Sequence, residues 1–384
     1  MTERTSAQKP RVLFVGRARY RLPLPAWLAK KWDAVEEELD YRVIGAATGD
    51  SLPSDDRFRL SSPARPRQLD GLLFYLRLPL RLRRQIRSFR PDAIFASDPF
   101  LGAAALAGRA LARRPVRVIV EVHGDWRTFS RLYGSPARRL ISPLADAVGT
   151  YAVRRADATR AVSSFTAGLV EQARGVPPSA VFTAFSDLSA FAEREPAPLP
   201  ERPTVAFIGA LEAYKNVEGL AAAWRSVAEE LPAAGLVIVG SGSQRGVVDE
   251  LVADFPGRVE HHEWLEPEAV SEQLDASTVL VLPSFPEGLG RVIIESFARG
   301  RAVVATDGGG IPDLVTHEAE GLLVPPADSQ ALAAALARVL GDRELAARMG
   351  AAARVRYGDW HSTPAQLAGD FRALVEAAVA GTAR

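Results

Sequence analysis

The chain has 384 residues, of which 47% are hydrophobic and 24% charged, and it has no cysteine. This length favours two domains of roughly 150–200 residues each, and the composition excludes a disordered chain, a collagen-like fibre and a coiled coil. Without cysteine there are no disulfides, thiolate nucleophiles or cysteine-bound metals. The longest uncharged apolar stretch, 99–108, is far shorter than the ~20 residues that span a bilayer, and the polar segment 1–9 does not resemble a secretory signal. We therefore expect a cytoplasmic enzyme or binding protein.

The formal net charge of +1 conceals an asymmetry between the two halves of the chain. Residues 1–200 hold 32 Lys and Arg against 20 Asp and Glu, whereas residues 201–384 hold 15 against 26. A preference for Arg over Lys does not explain why the net charges of the two halves have opposite signs. Two domains with different partners would explain it, with the basic half facing something anionic.

In the first half, short apolar runs alternate with stretches of helical spacing. The runs are rich in Val, Ile and Phe and predict buried strands at 11–16, 41–46, 92–96 and 116–122. Residues 27–39 and 101–113 lie between them and have the apolar spacing of helices. Alternation of this kind predicts a parallel sheet with helices on both faces.

After residue 200 the alternation starts again. Strands are predicted at 204–209, 235–240, 279–283 and 302–306, and helices at 217–231, 247–255 and 329–340. Between the halves, 192–203 holds four prolines and no periodicity, which predicts a semi-rigid linker. A final amphipathic helix is predicted at 363–380.

We therefore predict an α/β protein with two Rossmann-like, doubly wound parallel-sheet domains. The first covers 1–195 and the second 196–358, and we expect the helix in 359–384 to pack back on the first domain. Ligands of such sheets bind outside the carboxyl ends of the strands. Two such domains would face each other across a cleft that holds the site.

The most informative segment is 283–295, where an apolar strand ends, a loop with glycines follows and a helix begins near Gly290. Gly288 and Gly290 let the backbone approach a ligand, and a helix N-terminus offers free N–H groups and a partial positive charge. Together these features receive an anion, most simply a phosphate. Glu287 and Glu295 would repel a phosphate, so hydroxyls of a sugar or ribose suit them better. In the alternative interpretation, neither residue binds a ligand: Glu287 is a helix-capping acid and Glu295 a solvated helix residue.

Four further glycine-bearing turns follow strands in this half, within 207–216, 239–244, 306–313 and 320–328. In this order the segments resemble the C-terminal domain of family-four glycosyltransferases, retaining enzymes with the two-domain GT-B fold. Glu287 and Glu295 match the family's two glutamates with seven residues between them. Asp313 ends the block 309–313, where Glu is commoner in the family.

The resemblance implies a role for each of these residues. Glu287 would bind hydroxyls of the donor sugar, and Glu295 the ribose of the nucleotide. Backbone amides of Gly288, Leu289 and Gly290 would meet the sugar and the diphosphate, so the second domain would be the donor domain and the first the acceptor domain.

Lys215 falls where the family places a lysine on the diphosphate, next to the glycine turn at Gly209. Its charge would offset the negative charge that grows on the leaving nucleoside diphosphate, although without the motif it reads as an exposed lysine at a helix start. The family's usual arginine, five residues before this lysine, is Ala210 here. One cationic contact is therefore missing or supplied from elsewhere.

The first half departs further from the family. Members often have a Gly-Gly turn after the first strand, but here Gly16 is followed by Arg17, and Arg19 and Arg21 follow. These arginines either bind phosphate in place of the second glycine or are merely solvated. We keep Gly16 as a donor-site residue.

His123 follows a predicted strand and matches the family's histidine that reaches the sugar site. A lone histidine in such a place is more often structural, but with the fold identified we assign it to catalysis together with Lys215 and Glu287. Asp125 and Trp126 come next in the chain. We expect these two on the acceptor side.

Residues 74–90 hold six arginines among large apolar side chains. The segment is either an ordinary surface helix or a helix that lies on an anionic membrane, as in peripheral enzymes that glycosylate lipids. Nucleic-acid binding is disfavoured because no recognised nucleic-acid module accompanies the arginines. In the membrane hypothesis the contact is made by Arg77, Arg81, Arg83, Arg84 and Arg87.

These observations predict a cytoplasmic glycosyltransferase, or one held at the inner face of the membrane. It would move a sugar from a UDP- or GDP-linked donor to a glycan, lipid or small-molecule acceptor with retention, and we expect no metal and no cofactor. The alternatives are a sugar-nucleotide epimerase of the same fold and an inactive two-lobed binding or partner protein. A Rossmann oxidoreductase ranks last, because no Gly-x-Gly-x-x-Gly turn follows the first strand.

Overall fold

The computed structural model describes residues 8–49, 55–63, 70–127 and 136–382. The chain divides into two compact units. The first contains the described residues up to Ser186 and the segment that begins at Ser362, and the second contains Asp187–His361. Within the described ranges, no helix is both long and apolar enough to cross a membrane.

The first unit is built on a seven-stranded sheet in the order β3-β2-β1-β4-β5-β6-β7, and every pair is parallel. Its strand order reverses between β1 and β4, which is where doubly wound sheets bind ligands. The strands are β1 (Arg11–Tyr20), β2 (Asp40–Ala47), β3 (Phe58–Ser61), β4 (Ala93–Ala96), β5 (Arg117–Val122), β6 (Ala158–Ala161) and β7 (Ala180–Val181).

Helices connect these strands and cover the sheet. They are α1 (Ala26–Glu38), α2 (Asp70–Phe89), α3 (Pro99–Ala112), α4 (Pro136–Arg155) and α5 (Ser164–Arg174). The start of α3 shows how the local sequence sets a boundary: the Asp98 carboxylate accepts a hydrogen bond from the backbone N–H of Leu101 at 2.8 Å, and Pro99 occupies the first helical position. Both features are typical of helix N-termini.

The second unit has a six-stranded parallel sheet in the order β10-β9-β8-β11-β12-β13. Here the order reverses between β8 and β11. The strands are β8 (Thr204–Ile208), β9 (Gly235–Val239), β10 (Val259–His262), β11 (Val279–Leu282), β12 (Ala302–Thr306) and β13 (Gly321–Val324).

The helices of the second unit lie on both faces of its sheet, so its two apolar cores are separated by the strands. A short 3₁₀ helix, Ala213–Lys215, follows β8. The α-helices are α6 (Ser189–Ala192), α7 (Val217–Glu230), α8 (Arg245–Asp254), α9 (Pro267–Asp275), α10 (Arg291–Ala298), α11 (Ile311–Leu314), α12 (Ser329–Gly341) and α13 (Arg343–Trp360).

The proline-rich segment 192–203 is held along the second unit. Arg299, which is 1% exposed, donates to the carbonyl oxygens of Arg194 and Glu195 at 2.6 and 2.9 Å. Arg301 donates to the carbonyl oxygen of Ala197 at 2.7 Å. The segment between α6 and β8 is therefore bound to the unit that follows it.

The last helix, α14 (Pro364–Ala380), belongs to the first unit. It packs against α1, and its buried residues join the aromatic core on one face of the sheet. Phe371 is the centre of this contact, with ring centroids 5.4 Å from Phe14 and 4.9 Å from Phe95.

The predicted fold class is confirmed, since both units are Rossmann-like parallel sheets. Each predicted strand is present. The first is longer than predicted, because β1 continues to Tyr20 after an irregularity in its pairing between Val15 and Arg19. Five short strands were not predicted, namely β3, β6, β7, β10 and β13.

Candidate functional site

An ion pair joins two predicted site residues at the carboxyl ends of the central strands of the second unit. Lys215 ends the 3₁₀ helix after β8, and Glu287 lies in the loop after β11. The Nζ of Lys215 donates to Oε2 of Glu287 at 2.8 Å, and both side chains are largely buried, at 9% and 16% exposed. The fold thus brings together two residues that are far apart in sequence, at the point where the strand order reverses.

The loops that carry this pair are tied together through their backbones. The N–H of Phe285 donates to the carbonyl oxygen of Tyr214 at 2.8 Å. On its other side, Glu287 forms an isolated parallel bridge with Gly309, and the N–H of Gly310 donates to the carbonyl oxygen of Glu287 at 2.8 Å. The carboxylate therefore stands on a backbone fixed by the loops after β8 and β12.

Helix α10 begins directly after this loop. Gly290 occupies its N-cap position with φ +87° and provides no side-chain cap, and Gly288 and Leu289 are half-buried before it. The first N–H groups of the helix are therefore available to an anion, and the helix dipole favours negative charge there.

Glu295 lies on α10 and is 7% exposed, with Oε1 3.1 Å from Nε of Arg291. Burial raises the pKa of this carboxyl, and the neighbouring guanidinium does not fully offset the effect. The solvated reading of Glu295 is therefore wrong. It is a buried carboxyl, an environment in which hydrogen bonds from hydroxyls replace lost water.

Gly209 lies at the end of β8, where a Cβ would be 3.6 Å from Cε of Lys215. This is ordinary van der Waals contact. The two backbones approach each other closely at Gly240, after β9, where a Cβ would be 1.9 Å from the carbonyl oxygen of Gly209. Ala210, at the position of the family's arginine, is exposed.

In the first unit, Gly16 lies at the irregularity of β1, beside the end of β4. The N–H of Ser97 donates to the carbonyl oxygen of Val15 at 3.0 Å. The arginines that follow turn toward the start of α2: Arg19 pairs with Asp70 at 3.4 Å, and the Arg17 guanidinium lies against Gly71.

His123 lies just beyond the carboxyl end of β5, with its side chain 43% exposed. Its Nε2 is 3.6 Å from Oε2 of Glu121, a buried residue of β5 that sequence reasoning missed. Asp98 is a second missed acid: burial raises its pKa, while His123 and Arg17 act in the opposite direction. The pattern of a strand followed by Ser-Asp-Pro could have indicated Asp98 as a helix cap.

Asp125 accepts hydrogen bonds from the backbone N–H and from Nε of Arg127, at 3.0 and 3.2 Å. Trp126 is 3% exposed in the apolar core, and its indole N–H donates to Oγ1 of Thr150 at 3.3 Å. This ring therefore packs inside the unit, whereas a contact with an acceptor needs an accessible side chain.

Among the residues that the structure describes, no group of three or more His, Asp or Glu side chains is placed to hold a metal ion. The second unit instead offers a buried ammonium, two carboxyl groups and the N-terminus of a helix. These groups suit a ligand with both phosphates and hydroxyls.

Known proteins provide the context for this geometry. Residues 33–183 match the family described as Glycosyltransferase Family 4, and residues 190–356 match Glycosyl transferases group 1. The GDP-mannose-dependent alpha-(1-6)-phosphatidylinositol monomannoside mannosyltransferase of Mycobacterium tuberculosis is 31% identical over 319 residues, which cover 76% of this chain and 78% of that protein. An alpha-D-kanosaminyltransferase of Streptomyces kanamyceticus is 28% identical over 321 residues, or 79% and 82% of the two chains.

Solved structures show the same architecture. Sucrose-phosphate synthase from Thermosynechococcus elongatus is similar with a TM-score of 0.78 and 20% identity, covering 96% of this chain and 100% of that one. HepE from Anabaena, solved with UDP-glucose, has a TM-score of 0.69 and 18% identity, with coverages of 94% and 98%. The chain therefore belongs to the group 1 glycosyltransferases of family four and has the GT-B fold.

Proposed function

We propose that this glycosyltransferase moves a sugar from a nucleoside diphosphate sugar to an acceptor hydroxyl, with retention of the anomeric configuration. The observation that carries the proposal is the Lys215–Glu287 pair at the carboxyl ends of β8 and β11. It combines one cation with one carboxylate, directly before the N-terminus of α10. A diphosphate and a sugar need these two kinds of partner side by side.

Each group then has a distinct task. The Lys215 ammonium has three N–H donors, of which one is used on Glu287, so the others can bind the diphosphate. Glu287 accepts hydrogen bonds from hydroxyls of the sugar. Glu295, buried further along α10, accepts them from the ribose.

During transfer, the bond between the anomeric carbon and the diphosphate oxygen breaks and a bond to the acceptor oxygen forms on the same face. The proton of the acceptor hydroxyl passes to the departing phosphate oxygen. Lys215 and the N–H groups at the start of α10 stabilise the negative charge that develops on the leaving group. Holding both substrates in place supplies much of the remaining rate enhancement.

Two nucleotides are candidates for the donor, UDP and GDP. The mycobacterial relative is named as dependent on GDP-mannose, and the Anabaena structure contains UDP-glucose. A thermal-shift comparison of UDP and GDP therefore precedes the assay and selects the donor series.

The test is the variant Glu287→Ala, assayed by acceptor-dependent release of the nucleoside diphosphate. We expect transfer to fall by about a hundredfold or more, the scale seen when one transition-state contact is removed. The matched control is Glu272→Ala, because Glu272 is an exposed acid of the same unit that lies 4.0 Å from Arg194. It should keep full activity.

Melting curves establish that the variants are folded, and Glu287→Gln retains a hydrogen-bond acceptor for Lys215 if the alanine variant is unstable. A folded Glu287→Ala protein with normal transfer would refute the proposal. Turnover of the donor to an epimer without any acceptor would support the epimerase instead.

We further propose that the acceptor is a lipid at an anionic membrane, which α2 contacts. Three leucines spaced four residues apart on this helix are exposed: Leu72 at 59%, Leu76 at 65% and Leu80 at 60%. An exposed apolar row beside cations is typical of helices that lie on membranes. The name of the mycobacterial relative includes phosphatidylinositol monomannoside, which supports a lipid acceptor.

The structure narrows the set of arginines in this hypothesis. Arg81 is half-buried and donates to the carbonyl oxygen of Arg59 at 2.7 Å, so it faces the protein. Burial lowers its pKa. The exposed members of the predicted set are Arg77, Arg83, Arg84 and Arg87.

Vesicle sedimentation tests the membrane contact. Phosphatidylcholine vesicles that contain phosphatidylglycerol should bind the protein, and added salt should weaken binding. Replacing Arg77, Arg83 and Arg84 by alanine should reduce the affinity roughly a hundredfold, since each surface cation contributes about 1 kcal/mol. A triple Leu→Ser variant at 72, 76 and 80 should also lose binding, whereas Val355→Ser, at another exposed apolar side chain, should not. Equal binding to vesicles without anionic lipid would exclude the hypothesis.

A further inference from the structure

A buried ion pair lies directly beneath His123. Glu121 on β5 and Arg160 on β6 are paired across the two strands, and their side chains are in contact through Oε1 of Glu121 and Nη1 of Arg160. Arg160 is 1% exposed and Glu121 7%. A buried pair gains little stability over apolar residues of the same size, because both charges lose their hydration. Its presence among the mostly apolar buried side chains of β4, β5 and β6 therefore needs another reason.

The surroundings hold Arg160 in one place. Its Nη2 donates to the carbonyl oxygen of Phe182 at 2.8 Å, and its guanidinium lies 4.1 Å from the centroid of the Phe182 ring. Phe371 of α14 lies on it at 5.7 Å. A planar group with these contacts is a fixed anchor for the carboxylate.

The carboxylate is held in its charged form. Burial raises the pKa of Glu121, but the charge of Arg160, followed by hydrogen bonding with His123 and the charges of His123 and Lys31, outweighs burial and lowers the pKa to about 2. Glu121 is therefore an anion over the whole range in which an enzyme works.

The geometry of β5 places the Glu121 carboxylate next to His123. Side chains two residues apart in extended backbone lie on the same face, so Glu121 is directly below His123 at the end of β5. Oε1 of Glu121 is used by Arg160, while Oε2 lies 3.6 Å from Nε2 of His123. For a hydrogen bond, a rotation of the exposed imidazole has to shorten this distance to about 3 Å.

We infer that Glu121 is a positioning residue for His123: it orients the imidazole and keeps a hydrogen on Nε2, and Arg160 fixes Glu121 in turn. In the neutral ring, Nδ1 then carries the lone pair and faces away from the carboxylate, where it accepts a hydrogen bond from a sugar hydroxyl. A carboxylate that sets the tautomer of a functional histidine is a known device of enzymes. The inference rests on the proposed function only for the identity of that hydroxyl.

The test uses Glu121→Gln in the full-length protein. The amide keeps the size of the side chain and an oxygen that accepts from Arg160, but it loses the charge. The ¹⁵N shifts of His123, assigned by comparison with His123→Gln, should show the Nε2–H tautomer in the wild type and a mixture in the variant. The kcat/KM for the donor should fall about tenfold to a hundredfold, the loss typical when a partner that orients a metal-binding histidine is removed, while the affinity for the nucleoside diphosphate alone stays constant.

Asp157→Asn is the matched control. Asp157 precedes β6 in the same unit and pairs with Arg109 at 2.6 Å, so this variant also removes an acid from an arginine pair, but away from His123. It should change neither the tautomer nor kcat/KM. If Glu121→Gln does not fold, Glu121→Asp keeps the charge on Arg160 while withdrawing it from His123, and the same loss of tautomer preference is expected.

The two proposals fail in different ways. An unchanged His123 tautomer in Glu121→Gln overturns the positioning role, whatever happens to activity. If the wild type transfers no sugar from any donor, the proposed function fails, and the tautomer change by itself still upholds the positioning role. An active enzyme in which Glu121→Gln alters the tautomer but not kcat/KM overturns the role in catalysis.

Discussion

The position of Glu287 depends on a residue that has no side chain. Gly309 has φ +67°, a left-handed conformation, and a Cβ there would lie 2.1 Å from the carbonyl oxygen of Glu287. Only glycine adopts such a conformation without strain and permits so close an approach. The backbone bridge between the two residues therefore exists because position 309 is glycine.

We expect Gly309→Ala to displace the Glu287 loop. The φ strain alone should cost about 1 kcal/mol or more, and the steric contact should lower transfer activity by at least as much as a misplaced catalytic group does, about a hundredfold. Urea unfolding and the transfer assay measure the two effects.

Gly358→Ala is the control for this substitution. Gly358 is exposed on helix α13, and a Cβ there would meet nothing within 4 Å. Alanine should stabilise this helix by up to about 1 kcal/mol and leave activity unchanged. Equal effects of the two substitutions would show that the approach to Glu287 is not critical.

The candidate functional site was predictable from sequence only where its residues form a local sequence pattern. The spacing of Glu287 and Glu295 and the glycine-bearing loop before α10 predict hydroxyl and phosphate recognition, and this function stays a prediction. The contact between Lys215 and Glu287 joins residues 72 positions apart, and no local pattern encodes such a pairing. Trp126 is the opposite case: its position next to His123 in sequence does not determine whether its ring faces solvent or core, and the ring is buried.

At the scale of elements, apolar runs predicted the central strands. Two of the strands that were not predicted, β6 and β10, contain charged or polar residues that interrupt the apolar pattern. Strand β6 has the sequence Ala-Thr-Arg-Ala, and the buried Arg160 removes the apolar signal. The charge is tolerated there because Glu121 on the neighbouring strand neutralises it. Strand β10, Val-Glu-His-His, lies at an edge of its sheet and is half polar. Both exceptions require knowledge of a neighbour that the sequence does not place.

The proline-rich segment 192–203 was also predicted only in part. Its composition correctly excludes regular structure between α6 and β8. Composition does not reveal that three arginines from distant positions in the chain bind its carbonyl groups, namely Arg299, Arg301 and Arg343. Prolines leave carbonyl oxygens without a competing N–H nearby, so this segment is well suited to accept hydrogen bonds from arginine side chains.

At the scale of the whole molecule, the chain completes its first unit only at its end. Helix α14 contributes Leu367, Phe371, Leu374 and Val375 to the apolar core formed by β1, β4 and α1. Arg372 adds an ion pair with Glu38 of α1 at 3.0 Å. One face of the first sheet is therefore covered by residues more than two hundred positions away from most of its strands, and the first unit cannot be complete until the second has been synthesised.

We therefore expect Phe371→Ala to destabilise the first unit selectively. The ring is 3% exposed and contacts Phe14, Phe95 and Phe182, and deletion of a buried phenyl ring typically costs about 3–5 kcal/mol. Hydrogen exchange followed by mass spectrometry should show faster exchange in β1, β4 and β5, with unchanged protection in β8 and β11. Val379→Ala, on the same helix but 45% exposed, should have little effect. Uniformly faster exchange in both sheets would contradict this assignment of α14, because a helix that belongs to one unit cannot be required equally by the other.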